Sequence, residues 1–161
     1  MRSLLLLLLF VSPLFGAAQD VEAASNPASL AKEMLRLISA GNDDWEAFRD
    51  LFVPTVHFTV VSESAAQGMN ARSFALEDFV RLFKSSADRS FVETQLKAQI
   101  DEYNGIAHVW QTYEVDVNGS TNQGVNSIQM IYHHDRWWIA NVNWANNTNG
   151  VPLPEKYLPK E

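Results

Sequence analysis

The sequence predicts an α+β domain in which three N-terminal helices pack on one face of a curved antiparallel sheet, and three observations carry that prediction. Apolar residues recur at helical spacing through the first half, and the apolar period switches to two from Phe91 onward. Asn104-Gly105, between two of the period-two runs, is the strongest hairpin signal in the chain. Helices thus come first and an antiparallel meander afterwards, which is the α+β pattern. With 161 residues, 47% of them apolar, and nine Phe, five Trp and four Tyr, one domain can bury an ordinary core. A net charge of −7 gives no basic field to lay along phosphates, which argues against nucleic acid and anionic membrane surfaces as partners. The absence of cysteine excludes a disulfide scaffold, a thiol nucleophile and Cys-ligated metal sites.

The first residues form an address. Arg2 supplies a positive start, Leu4 to Val11 is unbroken apolar sequence, and Gly16-Ala17-Ala18 offers the small residues of a signal-peptidase site. Residues 1–18 therefore read as a signal peptide, which implies a secreted or periplasmic protein with no stable membrane insertion after cleavage. The run is also shorter than the roughly 20 apolar residues of a spanning helix. Residues 19–25, Ala-rich and polar, read as a flexible leader.

The first helix is expected from the Asn26 cap and Pro27 through Leu30, Met34, Leu37 and Ile38, stopping at Gly41. Asp43 and Glu46 form a capping-box-like start to a second, which places Trp45, Phe48, Leu51 and Phe52 on one side and ends before Pro54. Val56 to Val61 is β-branched and aromatic, hence a strand, and Ser62 to Ser73 is expected to be a polar loop. Leu76, Phe79, Val80 and Phe83 mark the third helix. Then come strands over Phe91 to Ile100, Ile106 to Asp116, Gly124 to Tyr132 and Trp137 to Trp144. Asn118-Gly119-Ser120 begins a longer turn, and His133-His134-Asp135-Arg136 closes the last hairpin. The domain covers residues 26–145, and residues 146–161 read as an extended Asn- and Pro-rich tail.

Four segments resemble the nuclear transport factor 2-like (SnoaL-like) superfamily. They are GIAHVWQTYEV (Gly105 to Val115), GVNSIQMIYHHDRWWIANVNW (Gly124 to Trp144), PLPEKYLP (Pro152 to Pro159) and the upstream DDWEAFRDLF (Asp43 to Phe52). The resemblance implies a cone-shaped α+β barrel whose concave face can hold a small molecule and whose convex face often forms a dimer. It implies no one activity, since isomerases, dehydratases, carriers and assembly modules share the scaffold.

Strand parity sorts the side chains of the last hairpin. With Tyr132 opposite Trp137, one face carries Asn126, Ile128, Met130, Tyr132, Trp137 and Ile139; the other carries Val125, Ser127, Gln129, Ile131, Trp138, Ala140, Val142 and Trp144. The Ser127 face is taken as the pocket, with Gln129 as a polar handle and Trp144 as an aromatic wall; alternatively, Ser127 and Gln129 only satisfy each other and backbone groups. The resemblance to ketosteroid isomerases favours Trp144 in the pocket and places the Ala107, Val109, Gln111 and Tyr113 row inward. Tyr113 can then donate its hydroxyl to a carbonyl oxygen, or it is a core tyrosine bonded to backbone. Phe58, on the Val56 to Val61 strand, completes the expected lining.

No general base can be placed. The first strand lacks a carboxylate before Glu63, and His57 alternates away from Val56, Phe58 and Val60. His133-His134-Asp135 sits at a hairpin tip with side chains diverging, so no metal and no cofactor are expected. The expected function is binding of a small, mostly apolar molecule without turnover. The alternatives are an isomerase or lyase working through Tyr113 with His57 or Glu63, and an interaction module with a filled cavity. A homodimer is expected through the row Ile128, Met130, Tyr132, Trp137 and Ile139, left facing outward by the choice of pocket face. The Pro152 to Pro159 tail is a competing cover for that row.

Overall fold

The computed structural model describes residues 24–39, 41, 43–64, 68–85, 90–148 and 150–159. The expected signal peptide and most of the leader lie outside the described residues. Helix α1 spans Pro27–Ile38, α2 Trp45–Arg49 and α3 Leu76–Lys84. The strands are β1 Phe52–Ser64, β2 Gly68–Ala75, β3 Phe91–Tyr103, β4 Ile106–Val117, β5 Ser120–His133 and β6 Arg136–Asn146. They form one curved sheet in the order β2-β1-β6-β5-β4-β3. All neighbours are antiparallel except β1 and β6, whose parallel pairing joins the early β1-β2 hairpin to the late four-strand meander.

Local chemistry sets the helix ends. The Asn26 side chain accepts from the Ser29 amide at 2.9 Å, with Pro27 in the first turn, where its missing N–H costs nothing. At the other end of α1 the Ser39 hydroxyl donates to the Leu35 carbonyl at 2.8 Å and accepts from the Glu93 amide at 2.9 Å, fastening the helix end to β3. Helix α2 is capped by Asp44, which accepts from the Ala47 amide at 2.9 Å, rather than by Asp43. It is one residue offset and shorter than its apolar spacing suggested, because Phe52 already belongs to β1. Helix α1 packs on β3, β4 and β6, and α3 on β1 and β2. Beneath them lies the core, including Leu30, Leu35, Phe48, Phe58, Val109 and Ile128.

Three expectations are corrected. The expected Ser62 to Ser73 loop instead contains most of β2, which pairs with β1 from His57↔Ala75 to Ser64↔Gly68. Exposed along nearly its whole length, β2 has no alternating apolar face to announce it. Asn118-Gly119 is a tight two-residue turn rather than the start of a longer one, with φ of 55° and 83° and Val117 paired directly to Ser120. Positive φ at both positions is the twist-matched hairpin conformation that Asn-Gly favours. Third, Ile128, Met130, Trp137 and Ile139 are in the core, at 0%, 1%, 5% and 0% exposure, so the row expected to face a dimer partner faces the helices. Of that row Tyr132 alone is exposed, at 49%.

The tail crosses the outer face of β3 and β4, a different place from the expected row. A single 3₁₀ turn, Glu155–Tyr157, buries Tyr157, whose ring stacks on Trp110 with centroids 5.2 Å apart. The Thr112 hydroxyl donates to the Tyr157 carbonyl at 2.7 Å, and the Lys97 ammonium donates to the carbonyls of Lys156 and Leu158 at 2.6 and 2.8 Å.

Candidate functional site

Between the helices and the inner face of the sheet lies a cavity of about 220 Å³. One side is a run of aromatic rings: Phe58 stacks on Phe79 at 4.1 Å, Phe79 meets Phe83 at 4.6 Å, and Phe83 meets Phe91 edge-on at 5.2 Å. Trp144 closes the wall edge-on to Phe79 at 6.0 Å. Such tilted and offset contacts are the favoured geometries of ring quadrupoles, and they fix the wall before any ligand arrives.

A few polar groups interrupt this lining. Glu93 and Tyr113 come from adjacent strands, β3 and β4, and share the inner face. Among the described residues the Glu93 carboxyl has no hydrogen-bond partner, and burial pushes it up to about 8. The same burial, with the Glu93 charge nearby, raises the Tyr113 phenol above its ordinary range. Both groups thus hold their protons at neutral pH. The Tyr113 ring lies over Gly124, its direct cross-strand partner; a Cβ there would overlap the phenol and come within 2.6 Å of the Ala145 carbonyl oxygen. Asn126 donates to the Gln111 side-chain oxygen at 3.0 Å, and Gln111 donates to the Ala31 carbonyl and to Gln95, each at 2.8 Å. This buried chain holds Asn126 in the cavity wall.

Of the residues singled out in the sequence, Phe58, Tyr113 and Trp144 line the cavity, and Gln111 is fully buried beside it, holding Asn126. Ser127 and Gln129 are not there. They lie on the outer face, where Ser127 shares a hydrogen bond of 2.9 Å with His108 and Gln129 is exposed. The pocket face is therefore the Asn126 face. The cause is an extra residue in β6: Gln129 pairs with Asn141 but Met130 with Ile139, leaving Ala140 as a bulge. Beyond the bulge the parity reverses, so Val142 and Trp144 join Asn126 and Ile128.

Glu93 was missed for the same kind of reason. Counted without interruption from the Asn104-Gly105 turn, the register puts Glu93 opposite Asp116, on the outer face. Leu96 is an extra residue between Gln95↔Tyr113 and Lys97↔Thr112, and it turns Glu93 inward opposite Val115. A second signal was available: reading Asn118-Gly119 as a two-residue turn pairs Gln111 with Asn126, which identifies the Asn126 face as inner once the Gln111 row is. His57 is exposed, as is Glu63. Among the described residues no group of three or more His, Asp or Glu could hold a metal ion, and no helix is long and apolar enough to cross a membrane.

No protein-family model matches the sequence, and no curated protein matches it closely. Solved structures do match the fold. A nuclear transport factor 2-like protein from Cytophaga hutchinsonii superposes with a TM-score of 0.58 at 15% identity, over 73% of this chain and 93% of that one. The S. rosetta CaMKII hub gives 0.59 at 16% identity, over 76% and 95%. Hexachlorocyclohexane dehydrochlorinase LinA-type3 from Novosphingobium barchaimii gives 0.57 at 9% identity, over 81% and 86%. At these identities the likeness is one of fold, and it agrees with the helix order, the six-stranded curved sheet and the helix-covered inner face: the chain has the nuclear transport factor 2-like α+β fold.

Proposed function

We propose that the chain is an exported protein that binds a small, mostly apolar molecule in the cavity under its helices. The observation that carries this reading is an aromatic-walled cavity of about 220 Å³ lined also by a few polar groups, Glu93, Tyr113 and Asn126 among them. A preformed apolar pocket with few convergent polar groups is the usual form of a small-molecule site. Native mass spectrometry on protein purified from its own compartment tests it: a co-purifying small molecule is expected, and Val142→Phe, which fills the cavity from β6, should purify without it. A wild-type mass equal to that of the bare chain, with no small molecule binding on titration, would overturn the reading.

A second reading, an isomerase or lyase, draws support from Glu93. A half-buried carboxyl and a phenol at one apolar cavity are the equipment for moving a proton to or from carbon. One of the similar structures is named a dehydrochlorinase. Glu93 becomes a base only as it ionises, so turnover by this route rises with pH through about 8. Deuterium uptake from heavy water into a small ketone, abolished in Glu93→Gln, would favour it; no uptake at pH 9 would exclude it for that ketone class.

The proposed assembly is a homodimer through the outer face of β5 and β6, around Ile131 and Trp138, with the tail already covering β4 beside it. The S. rosetta CaMKII hub among the similar structures is consistent with assembly on this scaffold.

A further inference from the structure

We propose that the cavity's ligand is a small amine bound as its ammonium, with a single-ring-sized apolar body against the aromatic wall and the cationic nitrogen at Glu93. This inference rests on the reading of the cavity as a binding site. Three observations point to a cation. Among the described lining residues Glu93 is the one carboxyl, and no Lys, Arg or His joins it. Among the described residues its carboxyl takes no hydrogen bond, and the Ser39 hydroxyl engages its backbone amide. The same cavity is walled by Phe83, Phe91, Phe79 and Trp144, rings whose faces attract cations and give a neutral oxygen nothing comparable. For a neutral carbonyl, the Tyr113 hydroxyl would suffice as a donor, and burying a carboxyl would only cost stability. An ammonium converts that cost into affinity, because it brings an opposite charge to the carboxyl from within the cavity.

Size narrows the class. A cavity of about 150 Å³ accommodates benzene, so about 220 Å³ suits one ring with a short amine-bearing chain. The remaining ammonium hydrogens have the Tyr113 and Asn126 oxygens as acceptors. The net charge of −7 attracts cations to the molecule as a whole. Other charged groups near Glu93 lie along the outer groove that also reaches it, where Lys32 and Arg36 of α1 flank Ser39, with Arg36 bound to Glu33 at 2.6 Å. From β4 the facing titratable group is Tyr113.

Binding balances as follows: the Glu93 carboxylic acid and a free ammonium give a carboxylate-ammonium pair in the cavity, and the displaced proton leaves to solvent. Calorimetry at pH 7 in two buffers of different ionisation enthalpy, with phenethylamine, phenethyl alcohol and phenylacetate as probes, tests this. Phenethylamine should bind with release of close to one proton per complex, and its affinity should fall about tenfold per pH unit below pH 7. Phenethyl alcohol should bind at least about tenfold more weakly without proton release, and phenylacetate not at all. Glu93→Gln should lose amine affinity on the order of 100-fold while keeping that for the alcohol, which also shows that the variant is folded. If the alcohol binds as tightly as the amine, with no proton released and no effect of Glu93→Gln, the amine inference fails and the cavity reading stands. If none of the three binds, the amine inference fails too, and a native mass equal to that of the bare chain then overturns the cavity reading as well.

Discussion

Glu93 carries a cost that can be read in a denaturation experiment. In the folded chain its carboxyl keeps its proton to about pH 8, whereas in the unfolded chain it ionises near the ordinary 4.5. The unfolded state therefore releases the proton first, and stability is lost as pH rises from 4.5 to 8, with no contribution from this group below that window and a constant penalty above it. The slope is at most about 1.4 kcal/mol per pH unit. Urea titrations across the window should show it in the wild type and a flatter profile in Glu93→Gln. The neighbouring residue-scale prediction concerns Gly124. A methyl there collides with the Tyr113 phenol and the Ala145 carbonyl, so Gly124→Ala should destabilise by roughly 1–3 kcal/mol and displace the phenol from the cavity. A thermal melt indistinguishable from wild type would show that the ring moves aside freely.

At the scale of elements, the two bulges assemble the site. Leu96 turns Glu93 inward on β3, and Ala140 turns Val142 and Trp144 inward on β6, so cavity groups arrive from opposite sides of β4 and β5 through one extra residue each. The tight turn at Asn118-Gly119 keeps β4 and β5 in the register that sets Tyr113 over Gly124. Gly119, at φ 83°, should not tolerate a side chain cheaply, and Gly119→Val should lower stability by about 1 kcal/mol or more in a chemical denaturation series. The tail is an element too. Removing residues 152–161 uncovers Trp110 and leaves the Thr112 hydroxyl and Lys97 without their carbonyl partners. Truncation should therefore lower the melting temperature and increase binding of a hydrophobic dye, and an unchanged melt would mean the tail rests on the sheet without stabilising it.

For the whole molecule, the proposed dimer and the proposed export have separate tests. Ile131 is 36% exposed on the outer face, where Met130 beside it is buried at 1%, so Ile131→Asp is the substitution that should split a dimer into folded monomers, while Met130→Asp should unfold the chain. Light scattering that finds the wild type monomeric at high micromolar concentration would remove the dimer proposal. Export rests on Arg2, the Leu4 to Val11 run and Gly16-Ala17-Ala18. N-terminal sequencing of the protein from its source should begin close to Gln19, and an intact Met1 on a cytoplasmic protein would contradict it.

The amino-acid sequence by itself determined the elements whose cause is local. Asn26-Pro27 starts α1, the spacing of Leu76, Phe79, Val80 and Phe83 makes α3, Asn104-Gly105 closes a hairpin, and the period of two lays out the meander. It also made Phe58, Tyr113 and Trp144 candidates for the cavity. What the tertiary structure decided is which way the strands face. Side-chain alternation propagates along a strand until a residue is left over, and a one-residue shift reverses every position beyond it. Whether Leu96 and Ala140 are left over depends on the curvature the sheet adopts under α1 and α3, a property of packed layers that no single strand encodes. Glu93 is consequently an ordinary surface glutamate by local pattern and a half-buried, cavity-lining acid in the folded protein, while Ser127 and Gln129 go the other way.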